Sequence, residues 1–217
     1  TLCLLHEFIS ARPSIVLLGN HDQMYIELLT NSSYDYYSRL PEWIKESVDF
    51  NLSRIDPRLF LDINFVPHYV CHDVVVSHAN FFSLHSDSTD WSYVNSIEDH
   101  LEQLHIVDDF GCRLGVLGHT HRSRCFSLQP AGAGQRTSNC FARLVRLDEK
   151  INLSGYPCSI INAGSIGQPR DKLSTGPAWL LIEFEDFVAR TAAFVSFNYN
   201  VDAHLNDISK SKLSSSC

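Results

Sequence analysis

The sequence has no apolar run approaching the length of a membrane span and no recognisable secretory leader. It has no Cys-x-x-Cys pair; its seven cysteines (Cys3, Cys71, Cys112, Cys125, Cys140, Cys158 and Cys217) are odd in number and scattered. That pattern argues against a disulfide framework and for a reducing compartment, so a cytoplasmic location is expected. Positive charge is in short supply: 17 Lys and Arg face 25 Asp and Glu, a formal net charge of −8. Nucleic acid and anionic membranes are therefore not expected as partners. A phosphate-bearing ligand would need local positive charge, which a metal ion supplies. No internal repeat and no domain linker is visible, so residues 1–217 read as a single domain, for which the length is ample. The first residue is Thr1, and helical text begins at Leu2 with no start signal or cap. The expectation is that this segment is the remainder of a longer protein.

The content that remains is that of an ordinary globular chain, 44% apolar and 19% charged. Residues 2–11 read as the end of a helix, stopped by Pro13, and Ile15 to Leu18 as a strand. Residues 22–65 look mainly helical, with one helix opening at Pro41, a residue suited to a first turn. Val66 to His72 and Asp73 to Ser77 read as two strands around a tight turn. Tyr93 to Leu104 carries Val94, Ile97, Leu101 and Leu104 at helical spacing. Cys112 to Leu117, Arg124 to Leu128, Phe141 to Leu147 and Ser159 to Asn162 read as strands, with a Gly/Ala/Pro/Ser-rich loop from Gln129 to Asn139. Ala178 to Phe184 and Val188 to Phe197 form a predicted hairpin, and Val201 to Ile208 a short closing helix. Strand and helix alternate in the front half and strands dominate the back half, a pattern expected of an α/β fold with two packed sheets flanked by helices.

Chemistry gathers at three strand ends. The run Leu114 to Leu117 leads into Gly118-His119-Thr120-His121. If this segment is extended, two imidazoles two residues apart point the same way, and a fixed pair of neutral imidazoles suits a metal. Ile15 to Leu18 leads into Gly19-Asn20-His21-Asp22, and Val74 to Ser77 ends in His78. Ligands of open α/β sheets bind at the carboxyl ends of strands. Plainer readings stand beside these: a Gly-Asn turn, a hydrogen-bonded core histidine at position 78, a surface ion pair of Arg170 with Asp171. His68, His72, His85, His100 and His105 match no block and read as structural or surface histidines. Phe81-Phe82 reads as core and Asp108-Asp109 as a solvated helix end.

Together with Asn162-Ala163-Gly164-Ser165-Ile166-Gly167-Gln168-Pro169-Arg170-Asp171, these blocks, in this order, resemble the calcineurin-like metallophosphoesterases. The nearest branch is the small bacterial-type phosphodiesterases, where an Asn-Pro-Gly-Ser-Val-Gly-Gln-Pro-Arg-like segment is typical. The resemblance implies a two-sheet sandwich flanked by helices with two divalent metal ions (Mn, Fe, Zn or Ni) at the strand ends. It implies Asn20, His78 and His119 as ligands of one metal and His121 of the other. It further implies His21 as proton donor to the leaving group, held by Asp22, and Arg170 as a phosphate contact. The substrate implied is a small phosphomono- or phosphodiester, nucleotides included.

The resemblance also implies blocks that this sequence lacks. The family opens with an Asp-x-His block and a Gly-Asp block, which bring three ligands including the bridging carboxylate. Only eighteen residues precede Gly19, and no Gly-Asp pair occurs. Asp202-Ala203-His204 sits where the family has its last helix and reads as a decoy. The fold is thus expected to lack its first strands. One metal would keep three protein ligands and the other one, with at most weak partial occupancy and impaired turnover. Two rival readings stay open: a non-catalytic protein-binding scaffold on the same fold, as in the retromer subunit, and a mononuclear hydrolytic site.

Overall fold

Four apolar runs are buried on both faces, and they build the centre of the molecule's larger sheet. The structure, a computed structural model, describes residues 2–32, 35–85, 90–130, 139–167, 170, 177–198 and 200–210. The chain forms two compact units, residues 1–66 with 199–217, and residues 67–198.

The first unit begins with α1 (Leu2–Ala11), β1 (Val16–Leu17), α2 (Asn20–Leu29), α3 (Asp35–Arg39), α4 (Glu42–Leu52), α5 (Pro57–Leu61) and β2 (Phe65–Val66). β1 and β2 pair in parallel. A ring nitrogen of His6 in α1 donates to the Leu59 carbonyl in α5 at 2.6 Å. Pro41 precedes α4 as expected, and Asp56 caps α5 by accepting from the Arg58 N–H.

The second unit holds β3 (His68–Cys71), β4 (Val74–Ser77), α6 (Ile97–Asp109), β5 (Leu114–Leu117), β6 (Ser123–Leu128), β7 (Cys140–Arg143), β8 (Lys150–Asn152), β9 (Ser159–Ala163), β10 (Ala178–Glu185) and β11 (Val188–Ser196). The closing helix α7 (Val201–Lys210) belongs again to the first unit. One sheet of the second unit has six strands in the order β3-β4-β5-β9-β6-β7, and the other has the order β10-β11-β8. β4, β5 and β9 run parallel to one another, while β3 and β6 are antiparallel to their neighbours. The carboxyl ends of β4, β5 and β9 therefore share one edge of the sheet.

Period-two alternation divides the apolar residues between two cores. Val74, Leu114, Val116, Cys125 and Ile161 meet Ile151, Ala178, Ala189, Ala192 and Phe194 of the smaller sheet. Val75, Leu117, Phe126, Leu128 and Ile160 meet Leu104 and Val107 of α6. The result in this unit is a sandwich of two sheets with a helix on the outer face of the larger one, the α/β class expected from the sequence. Phe81 is fully buried, as its apolar neighbourhood suggested. Gly115 faces it closely: a Cβ there would stand 2.7 Å from Phe81 ring atoms.

Two sequence expectations are corrected. The helix predicted from Tyr93 begins at Ile97, because Ser96 and Asp99 form a capping box: Ser96 Oγ accepts the Asp99 N–H and Asp99 accepts the Ser96 N–H. Tyr93 to Asn95 lie outside it, and Ile97 is exposed rather than core. The short strand β8, which edges the smaller sheet, is not among the strands predicted from the sequence. Most of the Gln129–Asn139 loop, Gln168, Pro169 and Asp171 lie outside the described residues.

Candidate functional site

Three of the expected residues stand at the shared strand-end edge of the second unit. His78 follows the last residue of β4, and Gly118 to His121 join β5 to β6. The two loops are tied together by the Gly118 N–H donating to the His78 carbonyl at 2.8 Å. The His78 and His119 rings lie with centroids 5.1 Å apart, at 62°. His119 is buried, whereas His78 and His121 are half-buried.

The local reason for this geometry differs from the sequence argument. His119 and His121 do not continue the strand; both adopt φ 59, in the left-handed region. The Thr120 N–H turns back to the Gly118 carbonyl at 2.6 Å. Side-chain alternation along an extended backbone therefore does not orient these imidazoles; a tight turn does. Histidine enters the left-handed region more readily than most residues, but two such conformations in one turn carry strain that the surroundings must hold. Asn162, at the end of β9 and 5% exposed, supplies part of that hold. Its amide nitrogen donates to the Gly118 carbonyl and, at 3.0 Å, to the Thr120 hydroxyl, and its oxygen accepts the Gly164 N–H at 3.0 Å. Arg170 is placed against the turn by its backbone, whose N–H donates to the His121 carbonyl at 2.9 Å; its side chain is exposed.

The segment before α6 packs against these two histidines. The Tyr93 ring stacks on His119 at 4.2 Å and 18°, and Trp91 meets His78 edge-on at 6.0 Å. The Trp91 carbonyl accepts from His119 Nε2 at 3.1 Å. With the proton on Nε2, Nδ1 becomes the ring's lone-pair nitrogen. A histidine that donates one ring N–H to a carbonyl while offering the other nitrogen is the usual arrangement for a metal ligand. The imidazole pair thus fits a divalent ion in donor type and convergence. Among the described residues, no three His, Cys, Asp or Glu side chains gather into a metal-binding group. Sequence reasoning missed Asn162 as a support and missed Trp91 and Tyr93 altogether. The Ser96-x-x-Asp99 cap was the signal that could have freed residues 91–95 from the helix.

Asn20, His21 and Asp22 form the first turn of α2 in the first unit. Asn20 is buried and His21 exposed. Asp22 reaches back to accept the Gly19 N–H at 2.9 Å, which fastens the turn and places a negative charge at the helix start. Burial raises the Asp22 carboxyl above its ordinary value near 3.8, while the Gly19 N–H and the neighbouring His21 pull it back. Asp22 thus has a capping role that the sequence reading had not assigned.

Of the histidines that match no block, His100 is built into the core. His100 is 3% exposed, stacks on Phe126 at 3.7 Å and holds the Ser96 carbonyl through Nδ1. Asp108 and Asp109 are exposed at the end of α6.

No family model matches the sequence, and no curated protein matches it by sequence. Solved structures do match its fold. A metallophosphoesterase from Sphaerobacter thermophilus superposes with a TM-score of 0.64 at 18% identity, covering 97% of this chain and 77% of the other. The hypothetical protein PH1004 from Pyrococcus horikoshii OT3 gives 0.59 at 11% identity, covering 93% and 69%. The chain has the metallophosphoesterase fold.

Proposed function

We propose that this chain is a metal-dependent phosphoester hydrolase. The observation that carries the reading is the convergence of His78 and His119, rings 5.1 Å apart, at the carboxyl ends of adjacent parallel strands. The shared fold with a metallophosphoesterase points the same way. In this reading His78, His119 and His121 of the second unit hold the divalent ions. Such ions supply a water acidic enough to ionise near neutrality and offset charge on phosphoryl oxygens.

The chain's own residues do the rest. His21, exposed and beside the Asp22 carboxylate, gives a proton to the departing alkoxide. The Asp22 charge favours the protonated ring that this step needs. Arg170 holds a phosphoryl oxygen with a guanidinium suited to two parallel hydrogen bonds. Substrates are small phosphomono- or phosphodiesters, nucleotides among them, and the net charge of −8 leaves anion capture to the site itself. In this reading occupancy is weak and turnover slow, since no three His, Cys, Asp or Glu side chains gather into a metal-binding group among the described residues.

The test is calorimetric titration of the purified chain with Mn²⁺ and Zn²⁺, paired with hydrolysis of bis(p-nitrophenyl) phosphate. His78→Ala and His119→Ala should each weaken ion binding by about 10–100-fold or more and remove turnover with it. His21→Ala should leave ion binding intact and lower turnover by about 10²–10⁴. A chain that binds no ion and hydrolyses no ester would point to the scaffold reading. One ion bound, with turnover, would point to a mononuclear site.

A further inference from the structure

Asn80 lies two residues beyond His78 and is 1% exposed, yet nothing in the proposed chemistry uses it. Its amide nitrogen donates to the Asp90 carbonyl at 3.1 Å, to the Asp90 carboxylate at 2.9 Å and to the Ser92 carbonyl at 3.2 Å. Its amide oxygen accepts the Phe82 N–H at 3.2 Å. A side chain so deeply buried, making four contacts, fixes both segments it touches. The residue between its two backbone partners is Trp91, whose carbonyl holds His119 Nε2 at 3.1 Å.

We infer that Asn80 is a positioning residue for His119, acting through the Trp91 carbonyl to keep the ring proton on Nε2 and to leave Nδ1 as the coordinating nitrogen. The inference rests on the proposed function for the purpose of that nitrogen, but not for the tautomer itself. The physical logic is geometric. A carbonyl accepts and cannot donate, so a fixed carbonyl beside Nε2 selects the Nε2–H tautomer. Residues 90–92 have no strand or helix to fix them, so their position depends on side-chain anchors such as Asn80 and the Asp90 carboxylate, which also accepts the Ser92 N–H at 2.6 Å. Tyr93, stacked on the same ring, restricts rotation but is indifferent to which nitrogen carries the proton. The link from Asn80 therefore sets something that stacking cannot.

The experiment is long-range ¹H–¹⁵N correlation of the histidine rings in metal-free protein at one pH near 8, with calorimetric Zn²⁺ titration beside it. Wild-type His119 should report an Nε2–H ring. Asn80→Asp keeps the acceptor for Phe82 but loses the donors. In that variant the His119 signals should move toward a mixture of tautomers, and Zn²⁺ affinity should fall by about 10–100-fold. Asp90→Ala, a milder lesion, should move both in the same direction by less. A wild-type ring protonated on Nδ1 overturns the inference without any variant. So does a folded Asn80→Asp protein that keeps both the wild-type tautomer and the wild-type affinity. An Nε2–H ring in a chain that binds no ion would instead sink the proposed function and leave the Asn80 link standing.

Discussion

His121 at φ 59 is the residue where backbone and chemistry meet most sharply. A β-branched side chain there would clash with its own backbone, at roughly 1–2 kcal/mol for a left-handed residue. His121→Val should lower stability by that order in urea titrations, whereas His121→Asn, a residue at ease in this region, should stay close to wild type. Equal losses for both would show that the ring, not the backbone, is what matters for folding. His100 makes a pH prediction. Burial lowers its ring below the ordinary value near 6.5, with the Ser96 carbonyl and Asp99 opposing and Arg124 adding to the shift. The folded state therefore prefers the neutral ring. The unfolded chain binds more protons just below pH 6.5, so this contribution is present above 6.5 and is lost as pH falls through the lower folded value. Unfolding free energy measured from pH 7.5 to 5.0 should fall less steeply in His100→Leu than in wild type. At this scale the sequence was largely legible: metal-type side chains and their spacing are visible in a string of letters. The turn that aims them was not, because its strain is held by Asn162, which pairs with Gly118 across 44 residues.

Among the elements, β5 is the most constrained. Every residue of it is buried, and Gly115 leaves room for the Phe81 ring and for Val107 of α6. Gly115→Ala should overpack this contact and cost about 1–3 kcal/mol, read as a drop in Tm. It should also disturb His78, three residues before Phe81, and so weaken ion binding more than its distance in sequence suggests. α6 gives a second case. Ser96→Ala removes the acceptor for the Asp99 N–H and should cost about 1 kcal/mol. The partner carboxylate of Asp99 is held below its ordinary value by the Ser96 and Asn95 N–H groups. Its contribution is thus present above pH 3.8 and lost as pH falls through the lower folded value. Strand and helix identities were readable from apolar runs and their period, but boundaries were not. The apolar spacing of Val94, Ile97 and Leu101 suggested a start four residues too early, at Tyr93, and the cap overrode it.

At the scale of the molecule, residues 67–198 contain both sheets of the sandwich and every residue of its two cores. Produced alone, this segment should fold cooperatively, with a single urea transition and protection of β4, β5 and β9 from hydrogen exchange. Phe194→Ala within it, emptying a fully buried site, should cost about 3–5 kcal/mol. A segment that stays unfolded would show that the first unit is required. Among the described residues no helix is long and apolar enough to cross a membrane. The sequence by itself determined where the metal-type side chains fall, which apolar runs lead into them and the mixed α/β class, because side-chain type and local periodicity belong to contiguous residues. Only the tertiary structure decided that β9 enters between β5 and β6, so that His78, His119 and Asn162 share an edge, and that a carbonyl from residue 91 selects the nitrogen His119 offers. Those outcomes depend on pairings between residues far apart in the chain, whose energies no local pattern records.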